Sequence, residues 1–434
     1  NTMPNEESTS MDVDVPPTKT KPKPKKKNEN IAASAGAEAA SKYPDMSLAQ
    51  SIHKVNMMSG SEPQLSKDGI EAVKIPSNLN ETVLKQIVEE LENPSLYRHL
   101  MSLKWDGTTM SDEDLDAMDV KNAAAMKLLE EEVEEAKENS GDMEVLDARF
   151  EVARFAAKSL SKDEALGAYK QILDLPKLSS GKTMDALMES ARVASFHGDV
   201  KKNTELVEKI AKLADESGDW DRRNRLKVYN ALAKILARDV KGAASLLIDC
   251  IATFSCGEMC SYTEFVMYTM ISNLLHVPRT ELKDKIVDGP EILTVASEIP
   301  IVSKLVNALY ECNYQVYLEA MVEVQPVLVA DRFLQPHCGY IMRELHVLGY
   351  KQFLDSYKSV TLESMAKSFG VGTEFLDLQL SRFIAAGRLT AKIDKFGGVV
   401  ETNRPDLKNA QYRDMIQKGD LLLNRIQKLA RVVD

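Results

Sequence analysis

Pairs of amphipathic helical segments recur through the middle of the chain at a spacing near 40 residues. The predicted pairs are Glu144–Lys158 with Lys162–Leu173, Thr183–Ser195 with Lys201–Ser217, and Trp220–Ala237 with Lys241–Phe254. The turns inside the pairs align at Leu160, Gly198 and Arg238, with offsets of 38 and 40 residues. Such a period is typical of helical-pair solenoids such as tetratricopeptide-like arrays. One pair has too little core alone, so we expect residues 141–345 to stack into a helical-repeat arm.

The composition favours helix throughout the rest of the chain. Apolar residues make up 44% and aromatic residues only 6%, while Leu, Ala, Met, Glu and Lys are plentiful. We therefore predict an all-α fold class with a further helical region at residues 46–140. Its acidic cluster, Glu130–Glu138, is interpreted as a solvated helix face, because no turn-forming residues organise the carboxylates around a metal.

Residues 1–45 have a different composition. The run Lys19–Lys27 alternates Lys with Pro and Thr, and Ala, Gly and Ser follow at Ala32–Ser41. Such a segment cannot offset the entropy of ordering, so we predict a disordered Lys/Pro-rich tail. Two readings stay open for the Lys run, a nuclear-import or anionic-surface patch and a solubilising tail.

Residues 346–405 change pattern from helical pairs to a winged helix. A short helix at Thr361–Phe369 precedes a second helix at Thr373–Ala386, and Gly387 follows it. Alternating residues at Arg388–Asp394 and Val399–Asn403, around a Gly-Gly turn, predict a small β-hairpin. The second helix carries Glu374 and Asp377 against Arg382, and the whole chain has a net charge of −11. DNA recognition needs basic and amide side chains, so we expect no nucleic-acid partner and favour a protein contact surface.

A final helix is predicted within residues 406–434. Met415, Leu422 and Leu429 are seven residues apart, and Ile426 and Val433 make a second step of seven. A narrow apolar seam with this period is typical of contacts between long helices. Packing on the helix's own domain is the alternative, and contact with another chain is favoured because the helix follows a finished module.

We find no pattern that would support catalysis. Leu178–Thr183 resembles half of a phosphate-binding loop, but Pro176 replaces the required Gly and no strand is predicted before it. The five Cys and six His lack ligand spacing, so we predict no catalytic residue, no cofactor and no metal site. No apolar run reaches the roughly 18 residues of a membrane span, so we expect no membrane partner and an intracellular protein.

Four segments of the chain carry long and specific motifs, namely Gly218–Tyr229, Ser381–Leu389, Val400–Asp406 and Lys418–Arg425. Together they resemble a family of proteasome lid subunits, the one termed regulatory particle non-ATPase seven. The resemblance implies a helical arm, a PCI domain ending in the winged helix, and a C-terminal helix that joins a bundle. It implies a non-catalytic scaffold in the cytoplasm and nucleus that supports degradation of ubiquitinated proteins. The implied partners are other PCI subunits of the lid, the lid helical bundle and the base of the regulatory particle. A PCI subunit of the signalosome or of a translation-initiation complex is the alternative.

Combined with the pattern, the resemblance gives candidate partner-binding residues. Val399, Val400 and Glu401 are placed on an exposed edge strand of the wing, able to pair with a neighbouring sheet. The bundle contacts are the seam residues, namely Met415, Leu422, Ile426, Leu429 and Val433. Asp219 is predicted to cap the helix begun by Trp220. The nearby Arg222, Arg223 and Arg225 would bind carboxylates either of a partner or within the fold.

Overall fold

The N-terminal part of the described chain is a bundle of helices with its own core. The computed structural model describes residues 42–59, 76, 78–139, 141–176, 178–217, 219–402 and 407–433, all in one compact unit. The predicted tail therefore lies outside the described residues up to residue 41. The first helices are α1 (Met46–Ser59), α2 (Leu79–Lys85, continued by a π-helical segment to Leu91), α3 (Pro94–Ser102) and α4 (Asp112–Asn139). Buried side chains of this bundle include Leu48, Ile87, Leu100, Trp105 and Leu115.

The predicted helical-repeat arm is present, and its helices follow one another in antiparallel pairs. They are α5 (Asp142–Ser159), α6 (Lys162–Leu173), α7 (Ser180–Phe196), α8 (Val200–Ser217), α9 (Trp220–Leu236) and α10 (Val240–Cys250). The arm continues with α11 (Tyr262–His276), α12 (Arg279–Leu282), α13 (Pro290–Val295), α14 (Pro300–Tyr310), α15 (Tyr314–Ala330) and α16 (Cys338–Leu354). One continuous apolar core runs from Met184 on α7 to Leu345 on α16.

The aligned turns of the repeat share a capping structure. Gly198 and Arg238 both adopt a left-handed backbone, with φ of 74° and 66°. The next residues, Asp199 and Asp239, each accept a backbone N–H from the first turn of the following helix, at 3.1 and 2.9 Å. At the remaining turn Ser161 occupies the capping position. The spacing recognised in the sequence therefore reflects a helix stop followed directly by a helix start.

A fourth turn of this kind joins α14 to α15. Cys312 has φ of 61°, and Asn313 Oδ1 accepts the backbone N–H of Val316 at 3.4 Å. The turn falls outside the 38–40-residue spacing, because shorter helices and extended connections separate α11 from α14.

The first helix also contacts the far end of the arm. Gln50 Nε2 on α1 donates to Asp331 Oδ2 at 2.8 Å, and the Tyr268 hydroxyl donates to the same oxygen at 2.7 Å. The backbone N–H of Arg332 donates to Gln50 Oε1 at 3.1 Å. Burial raises the pKa of Asp331, while Gln50 and Tyr268 donate to its Oδ2 and the backbone N–H groups of Phe333 and Leu334 donate to its Oδ1. We refer to Gln50, Tyr268, Asp331 and Arg332 as the α1 latch.

The winged helix closes the arm and has one more strand than predicted. It contains β1 (Ser359–Thr361), α17 (Leu362–Phe369), α18 (Thr373–Ala385), β2 (Ala391–Asp394) and β3 (Val399–Thr402). The strand order is β1-β3-β2, with both pairings antiparallel. Tyr350 and Phe353 of α16 pack into the winged-helix core, so the predicted boundary after residue 345 falls inside α16. The last helix, α19 (Leu407–Val433), follows β3. The predicted all-α class with a small β element is confirmed.

Candidate partner-binding surfaces

The wing residues selected from the sequence lie on the central strand of the sheet. Val400 faces Val360 of β1 on one side and Ile393 of β2 on the other. The prediction that Val399–Asn403 forms an exposed edge strand is therefore wrong, because β1 occupies the side that a two-stranded hairpin would leave open. Asn403 itself lies outside the described residues. Val400 is fully buried and Val399 half-buried, while the side chain of Glu401 is exposed.

The second helix of the winged helix presents an acidic and apolar surface. Asp377 of α18 lies 3.2 Å from Lys395 Nζ at the wing turn, so this lysine is engaged within the fold. Phe375 and Leu378 are each about half exposed, and Phe396 at the tip of the wing is fully exposed. The sequence pattern did not single out Leu378 or Phe396. For Phe396 a signal was available, because an aromatic residue directly before Gly397 and Gly398 lies in a turn too short to reach a core.

The C-terminal helix exposes the four seam residues whose side chains the structure describes. Met415, Leu422, Ile426 and Leu429 have between 56% and 69% of their surface exposed. All side chains described on α19, those of residues 411–430, are exposed, including Ile416 and Leu423 beside the seam. The side chain of Val433 lies outside the described residues. Isolated apolar residues on a surface are ordinary, whereas a continuous exposed stripe is typical of contact sites.

The arginines at the start of α9 bind groups within the fold. Asp219 caps α9 as predicted, with its Oδ1 accepting the Trp220 N–H at 2.7 Å. Arg222 makes two hydrogen bonds to Asp185, at 2.9 and 2.8 Å, and Arg225 binds Glu258. Of the two readings left open, the fold-internal one is confirmed for these two side chains.

Arg223 also binds within the fold, but its acceptor is a backbone carbonyl and not a carboxylate. Its Nε donates to the Ala214 carbonyl at 3.2 Å. All three guanidinium groups therefore fasten α9 to its neighbours.

The half phosphate loop is occupied by helix-starting interactions. Ser179 Oγ accepts the Lys182 N–H at 3.3 Å and caps α7. Lys182 Nζ lies 3.6 Å from Asp147 of α5, and the guanidinium of Arg222 lies against Gly181. A nucleotide phosphate would have to displace these groups, so the segment is accounted for by the packing of α7.

The cysteines are packed within the arm. Burial raises the pKa of the Cys250 thiol to about 11 and raises the pKa of Cys256 and Cys260 well above the usual range. Raised pKa values keep these thiols protonated and weakly nucleophilic. Across the part of the chain that the structure describes, no three His, Cys, Asp or Glu side chains are grouped to hold a metal ion. In the same residues, no helix is long and apolar enough to cross a bilayer.

Comparison with known families accounts for the order of these elements. Residues 112–285 match the family described as 26S proteasome subunit RPN7, and residues 318–404 match the PCI domain. Residues 411–433 match the C-terminal helix of 26S proteasome regulatory subunit RPN7/PSMD6. A 26S proteasome non-ATPase regulatory subunit 6 homolog of Arabidopsis thaliana is 44% identical over 320 residues, covering 74% of this chain and 82% of the relative. The chain belongs to the RPN7/PSMD6 family of 26S proteasome regulatory subunits.

Two further relatives differ in how much of the chain they match. The 26S proteasome non-ATPase regulatory subunit 6 of Dictyostelium discoideum is 35% identical to this RPN7/PSMD6-family chain over 401 residues, which are 92% of the chain and 99% of the relative. COP9 signalosome complex subunit 1 of Arabidopsis thaliana is 24% identical over 198 residues, or 45% of each protein. The signalosome alternative is therefore the weaker one.

Proposed function

We propose that this chain is a non-catalytic scaffold subunit of the proteasome regulatory-particle lid, supporting ATP-dependent degradation of ubiquitinated proteins. The observation that carries the proposal is α19, whose apolar seam is exposed over its whole described length. Its partners are the other PCI subunits of the lid, the lid helical bundle and the base, with no nucleic acid and no membrane. Its compartments are the cytoplasm and the nucleus.

The seam gives α19 a reason to enter a bundle. Met415, Leu422, Ile426 and Leu429 lie on one side of the helix, and each remains more than half exposed in the free chain. Fully burying one large apolar side chain is worth roughly 1.5–3 kcal/mol, so covering these four partly exposed side chains favours association. Val433 extends the same spacing and is proposed as a further contact.

The winged helix supplies a second contact in this proposal. Glu401 is available to a partner side chain, whereas Val399 and Val400 hold the central strand in place beneath it. Backbone pairing with a neighbouring sheet would use the outer side of β1 or of β2, because β3 is paired on both sides. The net charge of α18 and the Asp377–Lys395 ion pair favour a protein surface over a phosphate backbone.

Two charge variants of α19 test the proposal in the full chain. Leu422→Asp with Leu429→Asp places carboxylates in the seam, and Asn424→Asp with Gln417→Asp places the same charge on the opposite side of the helix. A tagged chain is purified from cells and its partners are identified by mass spectrometry. The seam variant should lose the lid subunits while its circular dichroism is unchanged, and the opposite-face variant should retain them.

Deletion of residues 406–434 provides a second arm of the same experiment. The truncated chain should fold and fail to enter the complete lid, because none of the side chains described on α19 belongs to an apolar core. Lid recovery at the wild-type level with either the seam variant or the truncation would contradict the role of α19. Recovery of signalosome or initiation-complex subunits by the wild-type chain would replace the proposal with its alternative.

A further inference from the structure

A small cleft opens where the helical arm meets the winged helix. Its volume is about 240 Å³. The lining residues come from the α9–α10 turn, from α16 and from the end of α18, and they are Arg238, Tyr340, Arg343, Glu344, Val347, Phe383, Ala386 and Arg388. An apolar cavity of roughly 150 Å³ already holds a benzene molecule, so this cleft accommodates one aromatic or branched aliphatic side chain.

The floor of the cleft is apolar. Val347 and Phe383 are 8% and 9% exposed and belong to the winged-helix core. Tyr340 forms one wall, with the Arg238 guanidinium 4.3 Å from its ring centroid. Ala386, the exposed residue directly after α18, lies at the mouth. A side chain inserted here would contact Val347, Phe383 and Tyr340.

The rim of the cleft has an excess of positive charge. It carries three arginines and one carboxylate, and that carboxylate, Glu344, is paired with Arg388. Arg343 Nε donates to the Gly339 carbonyl of its own helix at 3.0 Å. In the described part of the chain, neither Arg238 nor Arg343 has a carboxylate as an ion-pair partner, and both are exposed.

The backbone of Arg238 adopts a conformation that is unfavourable for a residue with a side chain. Its left-handed conformation, with φ of 66°, is one that glycine adopts more easily. The turn is held by the Asp239 N–H, which donates to the Lys234 carbonyl at 2.8 Å, and by the capping role of the Asp239 side chain. Arginine at this place therefore presents a guanidinium beside Tyr340 from a fixed turn.

We propose that the cleft binds a short acidic peptide segment of a protein partner. One bulky apolar side chain enters the cleft, and flanking carboxylates of the segment pair with Arg238 and Arg343. Arginine matches a carboxylate with two parallel hydrogen bonds, and a desolvated apolar anchor beside arginines is the usual centre of a binding site. Because the lining comes from both the arm and the winged helix, the bound segment bridges them. The proposal does not depend on the role of α19.

Fluorescence anisotropy with the purified full chain tests this. The probe is a fluorescein-labelled peptide Glu-Asp-Phe-Glu-Asp, and the matched probe has Ala in place of Phe. Three variants are compared with the wild type. Arg343→Glu reverses a rim charge, Ala386→Trp fills the mouth, and Lys209→Glu makes the same charge change on an exposed side chain of α8.

The wild-type chain should bind the Phe probe at least about tenfold more tightly than the Ala probe. Arg343→Glu should weaken the Phe probe about tenfold, because an attraction becomes a repulsion, and Lys209→Glu should leave binding unchanged. Ala386→Trp should remove the preference for Phe over Ala. Equal binding of the two probes by the wild type, or equal losses in Arg343→Glu and Lys209→Glu, would overturn the proposal. The probe comparison stands even where Ala386→Trp fails to fold.

Discussion

The ion pair between Arg225 and Glu258 gives the most direct test of how the arm is held together. Arg225 Nε and Nη2 donate to Glu258 Oε1 at 2.9 and 2.7 Å, with only 14% and 6% of the two side chains exposed. The Tyr229 hydroxyl lies 3.4 Å from the same oxygen. Burial opposes the charge on Arg225, and the nearby Glu258 carboxylate outweighs it, so the pKa of Arg225 is raised. The pair joins α9 to the connection before α11.

Replacing Arg225 with Met should leave the Glu258 carboxylate buried without its cation. Removing one partner of a buried pair costs roughly 3–5 kcal/mol, mainly because the remaining charge has lost its compensation. Lys304→Met is the matched control, since its pair with Glu323 is 37% and 46% exposed. An exposed pair contributes about 0–1 kcal/mol. The two variants lose the same type of contact and differ in burial.

Urea unfolding followed by far-ultraviolet circular dichroism measures both losses. The midpoint for Arg225→Met should fall well below that of the wild type at an unchanged slope, and Lys304→Met should overlay the wild type. The double change Arg225→Met with Glu258→Leu should recover most of the loss, because no charge is left buried. A loss below about 1 kcal/mol for Arg225→Met, or no recovery in the double variant, would refute the reasoning.

Three further variants test packing, titration and the wing. Gly349→Ala should lower the free energy of unfolding by about 1–3 kcal/mol, since its Cβ would lie 2.9 Å from Tyr317 Cε1, and an unchanged urea midpoint would contradict this. Burial lowers the pKa of His276, so the stability that the neutral imidazole contributes is lost as the pH falls below about 6.5. Between pH 7.5 and 5.5 the melting temperature should therefore drop more in the wild type than in His276→Asn. Equal drops in the two proteins would exclude this role of His276. Val400→Asp buries a carboxylate in the winged-helix core and should expose that module to proteolysis, whereas Glu401→Lys should stay resistant; equal resistance would mean that Val400 is not a core residue.

The helices were predictable because their signals are local. Apolar spacing within α6 or α9, together with capping residues such as Asp219, specifies helix and boundary in the same short stretch. The turns at Gly198 and Arg238 were recognisable for the same reason. The predicted and observed ends of the arm helices differ by one to a few residues.

The position of β3 within the sheet was not predictable from local pattern. It depends on β1, only three residues long, which lies 40 residues upstream and has no room for an alternating signal. Likewise, nothing near Gln50 indicates that it binds Asp331. The seam of α19 could be predicted because it repeats every seven residues. The cleft between the arm and the winged helix could not, because it combines residues from three distant segments.

The α1 latch has a consequence for how the chain is made. Gln50 and Asp331 are separated by 281 residues of sequence. At the usual rate of about 5–20 residues per second, a ribosome needs roughly 15–55 s to add the second partner after the first. Throughout that interval α1 lacks the Asp331 carboxylate that completes its buried contact. The arm can therefore be built pair by pair during synthesis, but the α1 latch forms only when translation has passed the end of α15.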